Sequence, residues 1–210
     1  KSTASSQAII TLRTTIYDPN MQEVAEVSST IETKANGLVV EEHNTQVPTP
    51  LLWDLETPNL YVAKTAVLKD NTVLDTYETT FGIRSIEYGA DFGFKLNGKK
   101  TRFKGVCLHH DLGPLGTAVN TRATERQLEI MQDMGVNAIR TSHNPPSPEQ
   151  VQLCDQMGLM IQVEAFDVWQ MAKVENDYSK HFDDWHEQDL RDMIRAFRNS
   201  PSVVMWSIGN

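Results

Sequence analysis

The sequence is poor in cysteine, in basic residues relative to acidic ones, and in long apolar runs. Two cysteines, Cys107 and Cys154, are too few for a disulfide framework, and each sits in an apolar stretch expected to bury it. Lysine and arginine number 19 against 28 aspartates and glutamates. The resulting formal net charge of −9 argues against nucleic acid or an anionic membrane as partner. No apolar run approaches the ~20 residues of a membrane-spanning helix. HExxH and CxxC patterns are missing, which disfavours a metal hydrolase, and no elbow motif surrounds Ser142 or Ser207. Gly113 and Gly116 of DLGPLG do not match a dinucleotide fingerprint. No leader pattern is visible, but with Lys1 as first residue this leaves localisation and self-association open. What is present is 40% apolar and 22% charged residues over 210 positions, enough core for one large globular domain or two small ones.

Residues 1–86 read as all-β. AIITLRTTIY (Ala8–Tyr17), Val24–Thr33 and Leu38–Thr45 are dense in β-formers, with an Asn36-Gly37 turn between the second and third. Leu60–Leu68 and Val73–Phe81 flank Lys69-Asp70-Asn71-Thr72. Short strands at this spacing, without a helical period, predict an antiparallel β-sandwich. Between them a proline-punctuated crossover, residues 48–61, is expected to plug the sandwich with Trp53. A carbohydrate platform is the sharper role for that indole, and burial the commoner one.

From residue 87 to 210 the period changes. A hairpin around Asn97-Gly98 leads in, and strand-like segments then alternate with helix-like ones. Arg102–Leu108, Val136–Arg140, Leu159–Val163 and Val203–Ile208 read as strands. The predicted helices run from Thr124 to Met134, from Ser147 and Pro148 to Gly158, and along the stripe Leu190, Met193, Ile194, Phe197. Such alternation implies parallel strands with right-handed crossovers, here the first half of a (β/α)8 barrel, which takes ~250 residues when closed. A half-barrel leaves a strand edge unpaired, so the chain is expected to be a fragment. The four strands end in His109-His110-Asp111, Arg140-Thr-Ser-His143, Glu164-Ala-Phe-Asp167-Val-Trp169 and Asn210. Polar groups at the C-terminal ends of successive parallel strands mark a site. A lone histidine there is more often structural, but the agreement of four strand ends favours a site. Arg, His, Asn and aromatic groups together suit a sugar.

The runs FGIRSI (Phe81–Ile86), LNGK from Leu96, KGVCLHH (Lys104–His110), GVNAIRTSHNP (Gly135–Pro145), EAFD from Glu164 and RNSPSVVMWSIGN (Arg198–Asn210) resemble glycoside hydrolase family 2. The likeness is greatest to its bacterial β-galactosidase branch and covers the chain from about Leu51. The resemblance implies an immunoglobulin-like sandwich followed by a TIM barrel. It also implies a retaining double displacement by two glutamates about 5–5.5 Å apart. Neither lies in this chain: the acid/base glutamate is expected directly after Asn210 and the nucleophile on a later strand. Carried over by position, Asn210 would bind the sugar 2-hydroxyl, His109 and His143 would contact hydroxyls or developing charge, and Arg140 would orient the carboxylates. Asp167 and Trp169 would form the subsite rim. Two positions depart from the pattern. Val163 stands where an aspartate usually precedes the glutamate, and Val168 and Gln170 stand where some relatives hold magnesium, so no cofactor is expected. The implied substrate is a terminal β-D-galactoside. A β-glucuronide and a non-catalytic carbohydrate- or protein-binding module are the alternatives, and the isolated chain is expected to be inactive.

Overall fold

The computed structural model describes residues 5–210, which divide into two compact units. One holds the chain up to Leu51 together with Leu60–Ile83, and the other holds Leu52–Asn59 with Arg84–Asn210.

In the first unit, strands β1 (Ala8–Tyr17), β2 (Glu23–Thr33), β3 (Tyr61–Lys69) and β4 (Thr72–Phe81) form an antiparallel sheet in the order β2-β1-β3-β4. Asp18 shapes the β1–β2 turn, its Oδ1 accepting the amides of Asn20 and Gln22 at 2.8 Å. The β3–β4 turn has positive φ at both Asp70 (49°) and Asn71 (62°), the pair of conformations that a tight two-residue hairpin demands. The strand expected over Leu38–Thr45 does not form, and Leu38 and Val40 are exposed. β-propensity requires a paired neighbour to take effect. This segment is held instead by His43, whose ring nitrogens meet Thr14 Oγ1 at 3.2 Å and Ser29 Oγ at 2.9 Å.

The second unit opens with a small antiparallel sheet of β5 (Ile86–Gly89), β6 (Gly93–Leu96) and β7 (Lys99–Lys100). Asn97 and Gly98 turn between β6 and β7 with φ of 51° and 76°. Then β8 (Gly105–Leu108), α1 (Thr121–Asp133), β9 (Ala138–Thr141), α2 (Pro148–Met157), β10 (Met160–Glu164), α3 (Ser179–Phe197) and β11 (Val203–Ser207) alternate. The strands pair in parallel in the order β11-β10-β9-β8. Helix α1 starts before the expected Thr124, because Asn120 caps it by accepting the Ala123 amide at 2.9 Å. Ser147 caps α2 as its sequence suggests. Gly158 ends α2 in the left-handed region, and a Cβ there would strike the Leu55 carbonyl.

The core lies between the parallel sheet and the helices, built from Leu128, Ile139, Val151, Cys154, Ile161, Val163, Phe197 and Val203 among others. Cys107, expected inside, is exposed: alternation along β8 turns it to the face away from the helices. Trp53 is fully buried, but within the second unit rather than as a plug of the first. Its Nε1 donates to the Asp155 carbonyl at 2.8 Å, and its own carbonyl accepts from Asn97 at 3.0 Å. Composition marks an indole as buried without naming the core that receives it.

Among the described residues β11 lies at one end of the parallel sheet. Val203 and Val204 are buried, whereas Trp206 and Ile208 are not, so the apolar run is covered only in its first half. The start of β11 is tied down from several directions. Arg84 donates to the carbonyls of Pro201 and Val203, Tyr88 Oη to that of Val204 at 2.7 Å, and the Ser202 amide to Asp155 Oδ1 at 3.0 Å. These bonds fix the register of the strand that leads to Asn210.

Candidate active site

Strand alternation builds the site. In the parallel register Cys107 pairs with Arg140, Arg140 with Gln162, and Glu164 with Ser207. Ile139, Ile161 and Val163 face the helices, so their neighbours Arg140 and Glu164 face the other way. Arg140 grips Glu164 bidentately, Nε to Oε2 at 2.8 Å and Nη2 to Oε1 at 2.9 Å. Ser207 Oγ donates to Oε2 at 2.9 Å, and His143 Nδ1 lies 2.7 Å from Oε1. The Glu164 amide itself donates to Thr141 Oγ1 at 3.1 Å. One carboxylate thus gathers groups from the ends of β9, β10 and β11.

Glu164 is completely buried. Burial pushes its carboxyl up, but hydrogen bonds from Arg140, His143 and Ser207 outweigh that cost, and the group is held below the ordinary glutamate value. Arg140 is correspondingly pushed up, chiefly by the bond to Glu164. Further out, Asn210 is exposed, its amide nitrogen donating to the Phe166 carbonyl at 3.0 Å. Its side chain bridges two charged groups: Oδ1 accepts from Arg140 Nη2 at 3.3 Å, and Nδ2 donates to Asp167 Oδ1 at 3.4 Å. Lys173 donates to the same Asp167 oxygen at 2.9 Å and is the main reason that carboxyl sits below its usual range.

Gly209 is obligatory here, because a Cβ would approach the Phe166 carbonyl oxygen to 2.9 Å and strike the Trp169 indole. Trp169 Nε1 donates to the Ile208 carbonyl at 3.3 Å, so the rim residue also braces the strand end. The His109 and His143 rings meet edge to face, with centroids 5.2 Å apart. Both line a cleft of about 760 Å³, whose walls include Phe166, Asp167, Tyr178 and Met193.

All four residues singled out from the sequence, His109, Arg140, His143 and Asn210, therefore belong to one cluster, with Arg140 and His143 joined through Glu164. The sequence places Glu164, the hub of this cluster, among the polar strand ends but assigns it no role. The signal available was its position as the last residue of an apolar strand, one step past Val163. His110 does not join the cluster's bonding and only lines the cleft. Of Val168 and Gln170, the two positions where the resemblance implies magnesium in some relatives, Val168 is a buried aliphatic side chain with no donor atom and does not fit a hard cation. Among the described residues no group of three or more His, Cys, Asp and Glu is arranged to hold a metal ion.

Comparison with known proteins decides the family. The family model for the TIM barrel domain of glycosyl hydrolases family 2 matches residues 86–210, and that for glycosyl hydrolases family 2 matches residues 1–84. The chain belongs to glycosyl hydrolase family 2. It is similar to beta-galactosidase BoGH2A of Bacteroides ovatus, 49% identical over 201 residues that cover 96% of this chain and 24% of that protein. A beta-glucuronidase of Streptococcus agalactiae is 34% identical over 202 residues, 90% of this chain and 34% of its own length. Among solved structures, a family 2 member from Bacteroides cellulosilyticus superposes with a TM-score of 0.91 at 38% identity, covering 98% of this chain and 27% of that one. A Bacteroides uniformis beta-glucuronidase bound covalently to cyclophellitol-6-carboxylate aziridine superposes with a TM-score of 0.83 at 32% identity, covering 98% and 24%. The chain thus spans about a quarter to a third of the length of these relatives. In family 2 terms it is a sandwich domain followed by part of the TIM barrel, and the fold class read from the sequence stands.

Proposed function

We propose that this chain forms the sandwich and the first barrel strands of a retaining exo-β-glycosidase acting on terminal β-D-galactosides. The observation that carries the reading is the linked set Asn210, Arg140, Glu164 and His143 at the C-terminal ends of three parallel strands. In this reading Asn210 holds the sugar 2-hydroxyl, and His109 and His143 contact neighbouring hydroxyls. Arg140, the charged neighbour of the developing site, orients the carboxylates that carry out the displacement. The acid/base glutamate follows Asn210, and the nucleophile comes from a later strand about 5–5.5 Å away across the anomeric carbon. One carboxyl protonates the leaving oxygen while the other attacks C1. The attack leaves a covalent glycosyl-enzyme ester; water, deprotonated by the residue that first acted as acid, then attacks C1 and expels the nucleophilic carboxylate.

A β-glucuronidase activity is the second reading, favoured by relatives of that name at 34% identity. The likeness to a beta-galactosidase at 49% identity supports the galactoside, and among the described residues Arg140 is engaged by Glu164 and Lys173 by Asp167. The test is hydrolysis of nitrophenyl β-galactoside, β-glucuronide and β-mannoside by the full-length protein beside the 210-residue chain. Turnover of the galactoside by the full-length protein alone is expected. Turnover of the glucuronide instead would reassign the sugar, and silence from a folded protein would favour a binding module.

A further inference from the structure

We propose that Glu164 is the positioning residue of this site: a single buried carboxylate sets both the tautomer of His143 and the orientation of the Asn210 amide. The first half follows from which atoms carry hydrogen. Glu164 is fully buried and gripped by the Arg140 guanidinium through both oxygens, so it is an ionised acceptor with no proton to give. His143 Nδ1, 2.7 Å from Oε1, must therefore carry the proton and donate it. The 3.4 Å approach of Arg140 Nη2 to the same nitrogen is then a meeting of two donors and not a hydrogen bond. In the Nδ1–H tautomer, Nε2 of His143 presents a lone pair, and that nitrogen has no protein partner among the described residues.

The second half follows from the same anchor. Glu164 holds the guanidinium so that Nη2 faces Asn210 at 3.3 Å, and a guanidinium can only donate. Asn210 must turn its oxygen inward and its nitrogen towards Asp167, which can only accept. One N–H of that amide remains for a ligand. The site accordingly offers an acceptor at His143 Nε2 and a donor at Asn210 Nδ2, the complement of hydroxyls, which both give and take a hydrogen bond. This deepens the glycosidase reading and rests on it for the ligand class: a neutral polyhydroxyl face is recognised here, with a hydroxyl and not a carboxylate at His143.

The experiment is a long-range proton–nitrogen imidazole spectrum of ¹⁵N-histidine-labelled protein, with His143 assigned by the resonances lost in His143→Gln. The wild-type protein should show the Nδ1–H tautomer. In Glu164→Gln the neutral amide can no longer enforce it, and the Nε2–H form should become populated, while kcat/KM for the nitrophenyl glycoside falls by about 10²-fold through misplacement. An Nε2–H tautomer in the wild-type protein would overturn the proposal without reference to any variant, as would an unchanged tautomer in folded Glu164→Gln. If the wild-type protein hydrolyses no glycoside, the hydrolase reading falls by itself, and the tautomer still decides the positioning role.

Discussion

Arg140 and Glu164 show how one residue's value depends on what its removal leaves behind. The carboxylate is buried, the guanidinium about a third exposed, with side-chain accessibilities of 1% and 30%. Arg140→Ala would strand an uncompensated charge inside the protein, a loss of about 3–5 kcal/mol at neutral pH. Glu164→Gln on the same background removes the charge that was stranded, so the double variant should lose less than the sum of the single ones. Urea unfolding of the four proteins tests this, and a loss below about 1 kcal/mol for Arg140→Ala alone would show that water reaches Glu164. Arg140 is legible in the sequence because it stands at a strand end beside a polar run. Glu164 is legible only as a strand-end group without a role, since a carboxylate one step past Val163 reads equally well as the first exposed residue of a loop. Its burial comes from three neighbours on other strands.

Elements in the second unit carry their boundaries in local chemistry. Ser147, Pro148 and Gly158 punctuate α2 as caps do elsewhere, and the structure agrees at both ends. Helix α1 differs because two candidate caps compete. Asn120 wins over Thr124, whose hydroxyl instead donates back to the Asn120 carbonyl at 3.1 Å. Asn120→Ala should therefore cost about 1 kcal/mol, whereas removing the Thr124 hydroxyl should cost less. Thermal unfolding of the two variants distinguishes them, and equal losses would refute the assignment. Gly158→Ala is expected to be more damaging than a helix-end substitution ordinarily is, because positive φ and the Leu55 carbonyl act together. Where an element depends on a distant partner, the sequence misleads. Leu38–Thr45 has β-formers and no paired neighbour.

At the scale of the molecule, two buried carboxyls set opposing responses to acid. Glu164 is held below its ordinary value, so its contribution to stability is complete above about pH 4.3 and is lost as pH falls through its folded value. Asp155 is pushed up by burial, so its contribution is complete below about pH 3.9 and is lost as pH rises towards its folded value. Urea midpoints measured from neutral pH into the acid range should fall with acid in the wild-type protein and flatten in Glu164→Gln; an unaltered slope would remove Glu164 from the cause. The sequence by itself determined the β-rich first part, the β/α alternation of the second, and the gathering of His109, Arg140, His143 and Asn210 at strand ends, because period, caps and alternation are local properties. Only the tertiary structure decided that Trp53 packs with Asp155, that Cys107 faces away from the helices, and that Glu164 joins the four site residues into one network. Those outcomes depend on which strand lies beside which, and pairing register is a property of the assembled sheet that no single segment contains.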